Sequence, residues 1–177
     1  MLIVSPVEAL AMKTLKLNHV INCTPERFWQ VFFDQEFNRW LYLDGMHFTK
    51  YETVRQSEGP DIERVVRGEP KVDLPKPIQK VLGGNFGYEE AGTFDAASKT
   101  WRWKMRPGSM AEKMRMEGSV RCEDAGGGKC RRIAEITIEA KIFGIGKMVE
   151  KTTEKEMNTG WNDSAALMNR WLADHPA

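Results

Sequence analysis

Apolar and polar residues alternate with a period of two through most of this chain, and the period changes to three and four near its end. Residues 14–23 place Leu15, Leu17, His19, Ile21 and Cys23 on one face, against Lys16, Asn18 and Asn22. Residues 100–106 set Trp101, Trp103 and Met105 against Arg102, Lys104 and Arg106. Further strands are predicted at 46–54, 62–69 and 86–94, and a long hairpin at 114–122 and 130–142 turns through Gly126-Gly127-Gly128. After Phe143-Gly144-Ile145-Gly146, apolar residues recur at Ile145, Met148, Val149, Met157, Trp161, Ala165, Met168 and Trp171/Leu172, which is one face of a long helix. A helix with one apolar stripe must cover a sheet with one apolar face. The pattern therefore predicts an α+β fold: a curved antiparallel sheet around a long C-terminal helix, with an apolar cavity in the gap.

Between the first two strands lie two short helices. Thr24-Pro25-Glu26 supplies an N-cap followed by proline at the first helical position, and Phe28, Trp29, Val31 and Phe32 give an apolar surface. The second helix is expected at about 36–43, ending at Asp44-Gly45. Leu74-Pro75-Lys76-Pro77 is a stiff connector into a brief helix that Gly83-Gly84 stops.

At 177 residues, with 41% hydrophobic and 29% charged residues, the chain suits one domain with its own core. A net charge of +1 argues against an obligate nucleic-acid partner. The three cysteines, Cys23, Cys122 and Cys130, cannot all pair and lack metal-ligand spacing, which points to a reducing, cytoplasmic compartment. Residues 1–12 are read as an N-terminal extension or a mis-assigned start, 13–172 as the domain, and 173–177 as a tail. No run of eighteen uncharged apolar residues suggests a membrane span.

The order of strand, two short helices, antiparallel strands and long C-terminal helix resembles the helix-grip fold of the START-like (SRPBCC) superfamily. More narrowly, the chain is similar to a bacterial START-like family of unknown function. The residues that carry the likeness are His19-Val20-Ile21-Asn22-Cys23, Thr24-Pro25-Glu26-Arg27-Phe28-Trp29, Leu74-Pro75-Lys76-Pro77 and Trp101-Arg102-Trp103. Glu117-Gly118, the Gly144-Ile145-Gly146 bend with Glu150, and Asn169-Arg170-Trp171-Leu172 complete them. The resemblance implies binding or transport of a small apolar or amphipathic molecule. Alternatives on the same cavity are a cyclase- or dehydratase-like enzyme and a chaperone-activating type of interaction module. It implies no cofactor, and transient membrane contact is compatible with it.

Candidate ligand contacts follow from faces and parity. Trp101, Trp103 and Met105, opposed by Met157, Trp161 and Met168, form either a cavity wall or plain core, and core filling is the preferred reading. Phe86 and Tyr88 share a strand face with Glu90, which is either a polar group of the cavity or, the preferred reading, a carboxylate turned outward. Arg132 has the parity of Ala134, Ile136 and Ile138: it either anchors an anionic headgroup or snorkels to water, and snorkelling is preferred. His19 is read first as a hydrogen-bonded structural histidine and second as a proton-transfer or ligand-donor group. No catalytic residue or metal site is assigned.

Overall fold

The computed structural model describes residues 12–84 and 86–176; residues 1–11 of the expected N-terminal extension lie outside that range. Strand β1 (Lys13–Ile21) leads into α1 (Pro25–Phe33) and α2 (Gln35–Arg39), followed by β2 (Lys50–Gln56) and β3 (Ile62–Glu69). A short α3 (Lys76–Leu82) precedes β4 (Tyr88–Asp95), β5 (Thr100–Pro107), β6 (Met114–Gly126) and β7 (Lys129–Ala140). The long α4 (Gly146–Asp174) closes the order. The strands form one seven-stranded sheet, ordered β1-β7-β6-β5-β4-β3-β2, and every neighbouring pair is antiparallel.

That order corrects the expectation of a sheet curved around the helix. The sheet is open: β1 and β2 are its two edges and do not pair with each other. Helix α4 packs over β1 and β7, at one side of the sheet. The other side is reached by α2 and the π-helical turn that continues it, Trp40–Gly45, which touch β2 while the turn also touches α4. Short helices, and not curling strands, therefore bridge the sheet's β2 edge to the long helix.

Local chemistry explains where these elements start and stop. The Thr24 hydroxyl accepts from the Arg27 amide at 3.3 Å, and the Asp34 carboxylate accepts from the Phe37 amide at 2.7 Å, so α1 and α2 each have a side-chain cap. The second helix was expected to run on to residue 43. Instead it widens at Trp40, and the Met46 amide donates five residues back to the Leu41 carbonyl at 2.8 Å. Phe48 donates to the Tyr42 carbonyl and His47 has a φ of +57°, so the strand expected from residue 46 begins only at Lys50. The last strand also stops earlier than its alternation suggests. Gly144 adopts a φ of +80°, and a side chain on Gly146 would run into the Ala140 carbonyl. Glu150 then reaches back, and its Oε1 accepts from the Ala140 amide at 2.9 Å. This bend locks the end of β7 to the first turns of α4.

At the other end of α4, Asn169 clamps the helix to β1. Its Nδ2 donates to the Val20 carbonyl at 3.0 Å, and its Oδ1 accepts from the Asn22 amide at 2.8 Å. The main core lies between these fixed points and includes Ile21, Phe28, Phe37, Trp101, Val120 and Ile136. A smaller cluster of Ile78, Ala140, Ile142 and Val149 packs α3 against the β7–α4 bend.

Candidate functional site

A cavity of about 510 Å³ lies between the inner face of the sheet, the flank of α4 and the α2–π segment. Alternation along the strands aims Trp101, Trp103 and Met105 of β5 and Met116 of β6 into it. Met157, Trp161 and Met168 come from α4, and Leu41, Tyr42 and Phe48 from the segment after α1. Trp101, Trp103 and Met168 are almost wholly buried, at 1%, 3% and 2% exposure, and show the cavity only an edge. Met105, Met157 and Trp161 are half-buried and line the space. Core and cavity wall are thus not alternatives for this group; the residues divide between the roles. Phe86 lines the cavity from the loop before β4 rather than from the strand that was expected to carry it.

Three glycines make room for this floor. Gly68, Gly92 and Gly118 sit on the inner face opposite Tyr88, Trp103 and Trp103 again, so aromatic rings lie across bare backbone. A methyl group on Gly118 would come within 2.8 Å of the Trp103 ring, and one on Gly68 within 2.8 Å of the Tyr88 ring. One on Gly92 would collide with the Trp101 ring.

The polar groups sit at defined points in this wall. Glu90 faces inward, which corrects the preferred outward placement. Its accessible surface lies along the cavity, and no hydrogen bond or ion pair reaches its carboxyl among the described residues. Burial pushes the carboxyl above the usual glutamate range, while the positive charge of Arg64 opposes the shift. Tyr42 and Tyr88 line the same space, and burial raises both phenols, with the carboxyl of Glu90 adding to the effect. Tyr42 stacks on Tyr51 with ring centroids 4.2 Å apart.

Arg132 is 3% exposed, so it points in and does not snorkel. The neighbouring strand β1, where Arg132 pairs with His19, and helix α4 cover it. Its Nη1 donates to the Ser164 hydroxyl at 3.0 Å, and its Nη2 to the Trp161 carbonyl at 2.7 Å and the His19 Nδ1 at 3.2 Å. The guanidinium also lies over the Trp161 ring, 4.8 Å from its centroid. Burial pushes its pKa down to about 10. His19 stands behind Arg132, outside the cavity lining. With Nδ1 accepting from Arg132, its Nε2 donates to the Asn162 side chain at 2.8 Å. Burial lowers its pKa, Asn162 opposes this, and Arg132 adds to the lowering.

Several residues of the lining were missed from the sequence, among them Tyr42 and Arg64. Arg64, 5% exposed, enters from β3 and is held among Phe32, Phe33 and Trp101, whose ring centroids lie 4.9, 5.3 and 4.9 Å from its guanidinium carbon. The signal was available: Arg64 shares the parity of Ile62 and Val66.

The family model described as Protein of unknown function (DUF2505) matches residues 16–172. The chain belongs to this family. No curated protein matches it. The DUF2505 chain has the START-like helix-grip fold, and solved structures share it at low sequence identity. The Zhui aromatase/cyclase from Streptomyces sp. R1128 superposes with a TM-score of 0.65 at 13% identity, covering 89% of this chain and 92% of that one. Norcoclaurine synthase from Thalictrum flavum, in complex with dopamine and hydroxybenzaldehyde, gives 0.65 at 14% identity, covering 94% and 89%. A START superfamily protein from Mycobacterium smegmatis gives 0.58 at 11% identity, covering 91% and 97%.

Elsewhere in this DUF2505 protein, Cys23, Cys122 and Cys130 are free thiols. Their mutual hydrogen bonding and burial raise the Cys130 thiol to about 12 and the Cys23 thiol further, which suppresses the reactive thiolate. Among the described residues, no three His, Cys, Asp or Glu side chains are placed to hold a metal ion. None of the described helices is long and apolar enough to cross a membrane. The outward Arg102 and Lys104 share the sheet's outer face with Glu117 and Glu135, so charges of both signs mix there.

Proposed function

We propose that this DUF2505 protein binds a small amphipathic molecule, non-covalently, in the space between its sheet and α4. The observation that carries this reading is the cavity itself. A folded interior is packed to near-crystalline density, and a space of about 510 Å³ inside one is far larger than a packing defect. Its wall supports the same reading. Half-buried Met105, Met157 and Trp161 supply adaptable apolar contact, and Glu90, Tyr42 and Tyr88 supply a few polar groups that orient a ligand. Native mass spectrometry on protein purified without detergent should detect a bound small molecule. Failure to retain any ligand, together with no binding of the fluorescent apolar probe N-phenylnaphthylamine, would overturn the proposal.

One observation favours a second reading, a cyclase- or dehydratase-like enzyme. Glu90 is a carboxyl without a hydrogen-bond partner among the described residues, and burial moves its pKa upward, as general acids and bases require of a carboxyl. Solved structures of similar fold include an aromatase/cyclase. On this reading Glu90 moves a proton on the bound molecule, and Glu90→Gln would abolish turnover while leaving binding of the same molecule in place. The interaction-module reading lacks such support. The exposed large apolar side chains among the described residues, Met12, Val20, Val54, Val81, Phe143 and Met148, are spread over separate segments.

A further inference from the structure

Arg64 and Arg132 are both buried cations, and neither forms an ion pair with a carboxylate among the described residues. A buried charge is retained at low cost only when an opposite charge or a full set of acceptors compensates it. Arg132 has most of such a set, in Trp161, Ser164 and His19. Arg64 does not. Its Nη1 donates to the Phe32 carbonyl at 2.9 Å, its Nε is buried with no acceptor, and its Nη2 has none among the described residues. Three aromatic rings hold the guanidinium in place, so the unused donors keep a fixed direction at the cavity wall.

We propose that the ligand carries one oxyanion, a carboxylate or sulfonate, on an aromatic or otherwise apolar body, and that Arg64 is the residue that receives it. This rests on the cavity being a ligand site and adds the charge of the ligand and the residue that reads it. The wall carries Arg64, Lys71 and Arg132 against Glu90, Glu156 and Asp163, and none of these carboxylates forms an ion pair with Arg64. The carboxyl of Glu90 is the acidic group whose titration feels Arg64. Burial raises the pKa of that carboxyl, and when protonated it can donate to a ligand oxygen. The Nη2 group of Arg64, unbonded among the described residues and not buried as Nε is, offers a charged N–H to an oxygen of a carboxylate or sulfonate. Arg132 adds positive potential from the α4 side; both its Nη groups are committed to Ser164, Trp161 and His19, and its Nε is buried without an acceptor. The sequence-based expectation of an anionic headgroup at Arg132 thereby moves to Arg64.

Two probes with one skeleton test this: anilinonaphthalene sulfonate, which is anionic, and N-phenylnaphthylamine, which is neutral and lacks the sulfonate. In fluorescence titrations the wild-type protein should bind the sulfonate about tenfold or more tightly than the amine, as expected for one charge-assisted contact. Arg64→Met should weaken the sulfonate by about tenfold and leave the amine within about twofold. Should Arg64→Met not fold, Arg64→Lys carries the test, because it keeps the charge and loses the planar fork; its preference for the sulfonate should shrink. Wild-type protein that binds the amine as tightly as the sulfonate would overturn the assignment. So would an Arg64 variant that weakens both probes equally or neither. Binding of neither probe to wild type would instead remove the ligand-site reading on which the inference stands, so the two failures are distinct.

Discussion

Gly92 shows how finely the cavity floor is set at the scale of single residues. The inward position next to Trp101 has no room for even one methyl group. Gly92→Ala should therefore destabilise the protein by about 1–3 kcal/mol, the usual cost of overpacking, as read from denaturant melts. Two titrating groups give predictions of opposite sign. Glu90 has a raised pKa in the folded state, so the folded protein resists its ionisation, and stability is lost as pH rises above the ordinary value of 4.5. Glu90→Gln should melt at a higher temperature than wild type at neutral pH, with the difference vanishing below that value. His19 has a lowered pKa, so the unfolded chain takes up the proton first, and stability is lost as pH falls below the ordinary 6.5. His19→Gln should flatten that acid limb of the Tm-against-pH curve. Strand parity was enough to place Trp101 and Trp103 on the inner face; it gave Arg132 the parity of Ala134 and Ile136, yet the sequence alone favours snorkelling to water there. It could not reveal that Trp101 is nearly all core while Met105 keeps surface for a ligand, since that depends on how far each side chain lies beneath α4. Tyr42 was missed for a different reason: it sits on a π-helical turn, where neither a period of two nor one of 3.6 applies.

Among the elements, the bend between β7 and α4 carries the most consequence per residue. Glu150 satisfies the amide of Ala140, and Gly146 presses against the carbonyl of the same residue. Glu150→Ala leaves a part-buried N–H without its acceptor and should cost about 1–3 kcal/mol in a thermal or denaturant melt. The substitution should also loosen the small cluster of Ile78, Ile142 and Val149, where α3 rests. The Gly144-Ile145-Gly146 bend with Glu150 was visible among the residues that carry the family likeness, and the N-cap of α1 and the strand alternation were legible directly in the chain. The end of β7 was not. Ile142 continues the parity of Ile136 and Ile138 and is buried, yet it belongs to the turn, because burial by α3 imposes the same apolar choice as a place in the sheet.

Across the whole molecule, the long helix facing an antiparallel sheet followed from the change of hydrophobic period, but the shape of the sheet did not. Alternation states which face of a strand is apolar and says nothing about whether the outer strands meet. Here they do not, and the space is walled on that side by α2 and its π-helical continuation. Hydrogen exchange should register this division. With N-phenylnaphthylamine bound, amides of α2, the π-helical turn and residues 70–84 should gain protection, while those of β6 and β7 stay unchanged. Equal protection gained throughout the sheet would mean that binding tightens the entire domain and not one wall.

The open sheet also determines what must break for a molecule to pass in or out. In a closed barrel, a lateral gap requires parting two strands and rupturing a ladder of backbone hydrogen bonds together. In this chain the side wall meets β2 through the ring of Tyr42 on Tyr51, and α4 through Phe37 and Trp40 against Trp171 and Gly45 beside Leu167. Swinging that wall aside slides rings over one another and leaves every strand-to-strand bond intact. Loading and release can therefore proceed at the pace of a local helix motion, far faster than the domain unfolds.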